Sequence, residues 1–132
     1  MNSNAPLNVV WTGSQKVEER TITNLEQAME LARTALNAVN PTMIEFFEAE
    51  GPSLAIGVGR KHTVVTFQES LNPPYYISLG DPGCDGATSF WYSGEETEYL
   101  FRNAVSVEDG QKALAFFVIN RTKPVNINWE KL

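Results

Sequence analysis

The chain has 132 residues, 42% apolar and 20% charged, a composition suited to one globular domain over residues 1–132 rather than to a disordered polymer. No apolar run approaches the ~18 residues of a membrane span, and residues 1–6 lack the basic and apolar stretches of a signal peptide. The formal net charge of −6 disfavours a nucleic-acid backbone as partner, and the single Cys84 excludes an internal disulfide, so a cytoplasmic protein without membrane attachment is expected.

In chain order, Val9, Val10 and Trp11 form the first short strand, turned at Thr12-Gly13-Ser14. Thr23-Asn24-Leu25-Glu26 has the spacing of a capping box. Leu25, Ala28, Met29, Ala32, Leu36 and Val39 then recur at helical spacing, with Glu26 and Glu30 early and Arg33 late. Asn40-Pro41 stops this run, so the pattern predicts a helix of about four turns.

Short β-rich runs follow. They cover residues 42–49 (TMIEFFEA), 53–58 (SLAIGV), 62–68 (HTVVTFQ), 75–79 (YYISL), 88–92 (TSFWY) and 96–102. Glu50-Gly51-Pro52, Gly59-Arg60-Lys61, Asn72-Pro73-Pro74, the loop 80–86 and Ser93-Gly94 separate them. Connections this short predict an antiparallel meander. Ser106 is the expected N-cap of a second helix, with Val107, Gly110, Leu114, Phe117 and Val118 on its apolar face and an end at residues 120–124. Val125, Ile127 and Trp129 alternate as a last strand, all three on one side. The expected fold is α+β, a single antiparallel sheet of about six strands with two helices packed on one face.

Catalytic patterns are weak. Ile56-Gly57-Val58-Gly59 holds a G-x-G, but a strand follows it where a phosphate-cradling loop needs a helix N-terminus. Gly57 and Gly59 are therefore read as structural hairpin glycines. His62 and Cys84, each the only one of its type, lack partners for a zinc site. Cys84 also sits beside Asp85, where nearby acids disfavour a thiolate. The acids around it lack the ligand spacing of a calcium loop, and nothing selects a pair for acid–base work. No catalytic residue, metal or cofactor is expected.

The charge is unevenly placed. Residues 62–101 contain no Lys or Arg and six acids: Glu69, Asp81, Asp85, Glu95, Glu96 and Glu98. The remaining ten acids balance ten bases, so this one segment carries the net charge. It also holds eight of the fourteen aromatic residues. Adjacent rings such as Phe90-Trp91-Tyr92 cannot all face one side of a strand, so some must turn away from the helix-covered face. Aromatics mixed with carboxylates on an exposed sheet face suit a protein partner, and a basic one. The expected contact residues are Asp81, Asp85, Trp91, Tyr92, Glu95, Glu96 and Glu98. The competing readings are that the acids only solvate hairpin loops and that the N-terminal segment covers the second face.

Three stretches carry a resemblance: LAIGVG at 54–59, PPYYISLGD at 73–81, and ALAFFVINRTKPVNINWE at 113–130. Their order and spacing resemble the first-numbered immunity-protein family of bacterial polymorphic toxin systems. In that family a helix ends in an F-x-x-T-G-x-R-P-like turn, and a V-x-W strand follows. Phe117, Arg121, Lys123, Pro124, Ile127 and Trp129 stand in similar places. Asn120-Arg121-Thr122 replaces the usual Thr-Gly, and Lys123 stands where Arg is common. The resemblance implies structural roles for Pro124 and Trp129. It also implies a non-enzymatic cytoplasmic antitoxin that binds a cognate toxin domain, a nuclease or nucleic-acid deaminase, and blocks its active site. A small regulatory or ligand-binding domain with a pocket between sheet and helices is the alternative, and an enzyme using Cys84, His62 or the acids is a third class.

Overall fold

The computed structural model describes residues 5–13, 16–36 and 40–132. Eleven strands and two α-helices follow one another among them: β1 (Leu7–Thr12), β2 (Val17–Ile22), α1 (Leu25–Ala35), β3 (Thr42–Phe47), β4 (Ser53–Val58), β5 (His62–Thr63), β6 (Val65–Gln68), β7 (Tyr75–Leu79), β8 (Ala87–Tyr92), β9 (Glu95–Leu100), β10 (Val105–Ser106), α2 (Val107–Asn120) and β11 (Asn128–Lys131). A 3₁₀ turn, Phe101–Asn103, precedes β10.

The α+β class and the large antiparallel sheet are as the sequence predicts, but the strand number is not. Nine strands, not about six, form the main sheet. Seven run in the order β11-β7-β6-β4-β3-β1-β2, and β8–β9 branches from β3 through a single parallel bridge, Thr42 to Trp91. The remaining two, β10 and β5, make a separate ribbon. Two departures from the sequence pattern stand out. The edge strand β2, VEERTI, buries only Ile22, so it shows no apolar alternation. The predicted strand 62–68 is interrupted at Val64, leaving β5 in the ribbon and β6 in the sheet.

Period-two burial builds the main core. Leu7, Val9 and Trp11 of β1 join Ile44 and Phe46 of β3, Leu54 and Ile56 of β4, and Val65 and Phe67 of β6. Both helices lie on this face, through Ala28 and Ala35 of α1 and through Ala113, Leu114, Phe117 and Val118 of α2. The cap of α1 falls one residue later than its Thr23–Glu26 spacing suggests. Asn24 accepts from the Gln27 amide at 2.9 Å, and the Gln27 side chain accepts from the Thr23 amide at 2.7 Å. Helix α1 stops at Ala35 with Leu36 exposed, shorter than predicted, and Val39 lies outside the described residues. Ser106 caps α2 as expected, accepting from the Asp109 amide at 3.0 Å.

The final strand also differs. It spans only Asn128–Lys131, pairing with β7, and Val125 is 79% exposed outside it. Residues 125–127 are still crossing from α2 to the sheet edge, so they have no strand to pair with. Ile127 and Trp129 pack against the main core, and the Trp129 indole donates to the carbonyl of buried Pro124 at 2.8 Å. A polar network fastens β11: Asn103 Nδ2 donates to the Ser78 carbonyl and to Glu130, each at 2.9 Å, and Arg102 bonds the same carboxylate.

Candidate interaction surface

The β8–β9 hairpin closes on Ser93 and Gly94, both left-handed with φ of 54° and 84°. That pair matches the twist of two-residue hairpin turns. The Gly94 amide donates to Thr12 Oγ1 at 3.0 Å, tying the tip to β1. At the other side of the hairpin the Trp91 amide donates to the Pro41 carbonyl at 2.8 Å.

Docking of the hairpin rests on Phe90. This ring is fully buried in a second core with Met43, Ala55, Val64 and Ile77, on the face of the sheet opposite the helices. Gly57 makes room for it, since a Cβ there would lie 2.5 Å from the Phe90 ring. Gly57 thus belongs to central strand β4 rather than to a hairpin turn, whereas Gly59, with φ +103° beside Pro41, does sit in the turn. The second face is covered in part by this hairpin, and the described N-terminal strands β1 and β2 extend the sheet instead.

Register then sorts the expected contact residues. Trp91 pairs with Glu96 and Ser89 with Glu98, so the four share the outer face of the hairpin. Tyr92 falls on the inner face with Phe90 and packs against the second core, so it and Trp91 do not present one surface. Glu95, opposite Tyr92, falls on the inner face but is exposed at the tip, while Asp81 and Asp85 are exposed in the loop at the base. At about 3.3 Å per residue, a six-residue strand separates tip from base by roughly 17 Å. The predicted acids are therefore a stripe along the hairpin, not a cluster. Asp81 also shapes its own loop, accepting from the Gly83 amide at 2.9 Å.

One base reaches this stripe from outside the base-free segment. Arg60 Nε donates to the Ser89 carbonyl at 2.7 Å and its Nη2 to Ser89 Oγ at 3.2 Å. Ser89 Oγ in turn donates to Glu96 at 3.1 Å. Sequence reasoning missed Arg60 because nothing local ties residue 60 to residue 89.

Two tyrosines and the histidine are shifted by their surroundings. Burial, and next the Glu45 carboxylate, push the Tyr92 hydroxyl far above its ordinary value of 10.0. Burial raises Tyr99 to about 12. His62 is lowered from 6.5, first by burial and then by Arg60. Its Nε2 lies 2.8 Å from Thr88 Oγ1, and its ring packs against Phe90 and Phe101. Cys84 is exposed in the 80–86 loop with its thiol against the Asp85 carbonyl. Among the described residues no group of three or more His, Cys, Asp and Glu is placed to hold a metal ion. No helix among them is long and apolar enough to cross a membrane.

The hollow between sheet and helices, lined by Met29, Leu36, Val58, Val107 and Gly110, encloses about 100 Å³. That is well below the roughly 300 Å³ at which sites for drug-sized ligands begin. Phe47, Val10 and Glu45, on the uncovered part of the second face, were not among the expected contact residues. The adjacent pair Phe46-Phe47 was the signal, since one ring had to face away from the helices.

No curated protein gives a significant match to the chain. The family model described as Immunity protein Imm1 matches residues 13–131. That span takes in the hairpin, the loop at its base, both helices and the Trp129 strand. The chain belongs to the Imm1 family of immunity proteins.

Proposed function

We propose that this protein is a non-enzymatic cytoplasmic antitoxin, acting as one domain, that blocks the active site of a cognate nuclease or nucleic-acid deaminase toxin. Family membership supports a toxin as the partner. The observation that carries the rest is the outer face of β8–β9, where Trp91 lies among Glu96 and Glu98, with exposed Glu95 at the tip beside it on the inner face and Asp81 and Asp85 in the loop at the base. A protein that acts on nucleic acid needs a basic cleft. A fixed acidic stripe steers such a cleft into encounter, and a half-exposed tryptophan supplies a desolvated anchor. The hairpin is held rigid by Phe90, by the Gly94–Thr12 bond and by Arg60, so little ordering entropy is lost on binding.

The test is protection of cells that express the cognate toxin domain. Trp91→Ala combined with Glu96→Lys and Glu98→Lys should abolish protection while the variant remains folded. Cys84→Ser with His62→Gln should protect as the parent does. The reverse pattern in a folded variant would remove the hairpin as the contact surface and revive the reading of an enzyme that uses Cys84 or His62.

A further inference from the structure

The hairpin leaves part of the second face open. Strand register places Asn8, Phe47, Ser53 and Gln68 side by side in one row, with Val10 and Glu45 in the next. Closer to Phe90 the same face is sealed, with Met43, Ala55 and Ile77 buried. On the open part Val10 and Phe47 are half-buried, and Leu71, from the β6–β7 loop, is 70% exposed at the margin.

Two hollows mark this strip. One, of about 240 Å³, lies over Val10, Glu45, Phe47, Glu50 and Leu71. The other, of about 140 Å³, lies over Val10, Val17, Tyr92 and Ser93. They share Val10, so the strip runs without a break from the hairpin tip to the β6–β7 loop. Its charge is one-sided. Glu45, Glu48 and Glu50 line it, and no Lys or Arg among the described residues lines either hollow. Arg121 neutralises Glu48 at 2.7 Å. Glu45 is held in place, accepting from Ser53 Oγ at 2.6 Å and lying beside Tyr92. Glu50 is exposed at a left-handed turn position with φ 61°.

We infer that this strip is a second contact surface for a basic protein partner, seating an apolar side chain that is flanked by Lys or Arg. The apolar side chain covers Val10, Phe47 and Leu71, and the cation meets Glu45 and Glu50. An apolar floor with unneutralised carboxylates gives that occupant both desolvated contact and charge complementarity. A second copy of this chain fits less well, because its net charge is −6 and the strip offers no cation to meet its acids. The identity of the partner as the toxin rests on the function proposed above.

The experiment measures Kd by biosensor between the full chain and the cognate toxin domain. Leu71→Lys with Glu50→Lys should weaken binding at least tenfold, with a thermal melt close to the parent's because both positions are exposed. Glu96→Lys with Glu98→Lys is run in parallel. If only the hairpin variant loses affinity, the strip is not a contact surface and the inference fails while the proposed function stands. If neither loses affinity, both fail. A loss confined to the strip variant upholds the inference and removes the hairpin from the interface. Hydrogen exchange on the parent complex gives a readout free of any folding effect. Protection at residues 45–50 and 69–72 is expected, and unchanged exchange there overturns the inference. A parent dimer by light scattering that the strip variant abolishes would assign the surface to a second copy and overturn it too.

Discussion

Arg121 sits at the C-cap of α2 with φ +59°, a conformation that glycine adopts most easily. The left-handed backbone costs a non-glycine residue about 1–2 kcal/mol. The guanidinium offsets that cost. It is buried, with Nη1 on Glu48 at 2.7 Å, Nη2 on the Ala5 carbonyl at 2.6 Å and Nε on the Val118 carbonyl at 2.9 Å. It therefore stitches the helix end to β3 and to the start of β1. Arg121→Ala should destabilise by about 3–5 kcal/mol, since it leaves Glu48 without its cation. Arg121→Gly should lose about 1 kcal/mol less, because the backbone conformation becomes free of strain. Urea denaturation of the two variants measures the difference, and equal midpoints would show that the turn is not strained. His62 offers a pH test. Its folded pKa is depressed, so the unfolded chain takes up the proton first. Its contribution is complete above the unfolded value of 6.5 and declines as pH falls from there toward the folded pKa. The Tm of His62→Gln, relative to the parent, should rise between pH 7 and pH 5. A constant gap would mean that His62 does not titrate in this window.

Among the elements, the β8–β9 hairpin depends on one ring meeting one missing side chain. Phe90→Ala should cost about 3–5 kcal/mol through the cavity it opens. Gly57→Ala forces the ring away from a contact of 2.5 Å and should cost about 1–3 kcal/mol. The two changes should not add. Once the ring is gone, the alanine methyl enters vacated space, so the double variant should be more stable than the sum of the singles by at least 0.5 kcal/mol or so. Strict additivity in guanidinium denaturation would show that Gly57 does not gate hairpin docking. Elements with local signals were legible in the sequence. Ser106 caps α2, Ser93-Gly94 turns the hairpin, and β4 and β7 have their predicted bounds. Those without were not. Strand β2 is a polar edge, β10 has two residues, too short to show a period, and β5 was read as the start of one strand with β6.

For the molecule as a whole, five of the six acids of residues 62–101 lie in a stripe along one hairpin and the loop at its base. Steering by such a stripe acts at long range and is screened over about 8–10 Å at physiological salt. Reversing Asp85, Glu95 and Glu96 to Lys should slow association with the cognate toxin about tenfold or more at low salt. The deficit should shrink as salt rises, with little change in the melt because all three acids are exposed. Surface plasmon resonance at two salt concentrations measures this, and an association rate indifferent to both reversal and salt would remove the stripe from the encounter.

What the sequence determined by itself was whatever depends on near neighbours or on composition. It held the cap of α2 and the hairpin turn, the period-two strands, the base-free acidic segment and the order of motifs that marks the family. Alternation alone also required Trp91 and Tyr92 to face opposite ways. Which of the two turns inward was decided by tertiary structure, because only the docking of Phe90 over Gly57 orients the hairpin. Contacts distant in sequence settled the rest: Arg60 on Ser89, Arg121 on Glu48, and an open acidic strip between the hairpin tip and the β6–β7 loop. Such pairings are chosen by which surfaces exclude water together, and that choice is made by the whole chain rather than by any window of it.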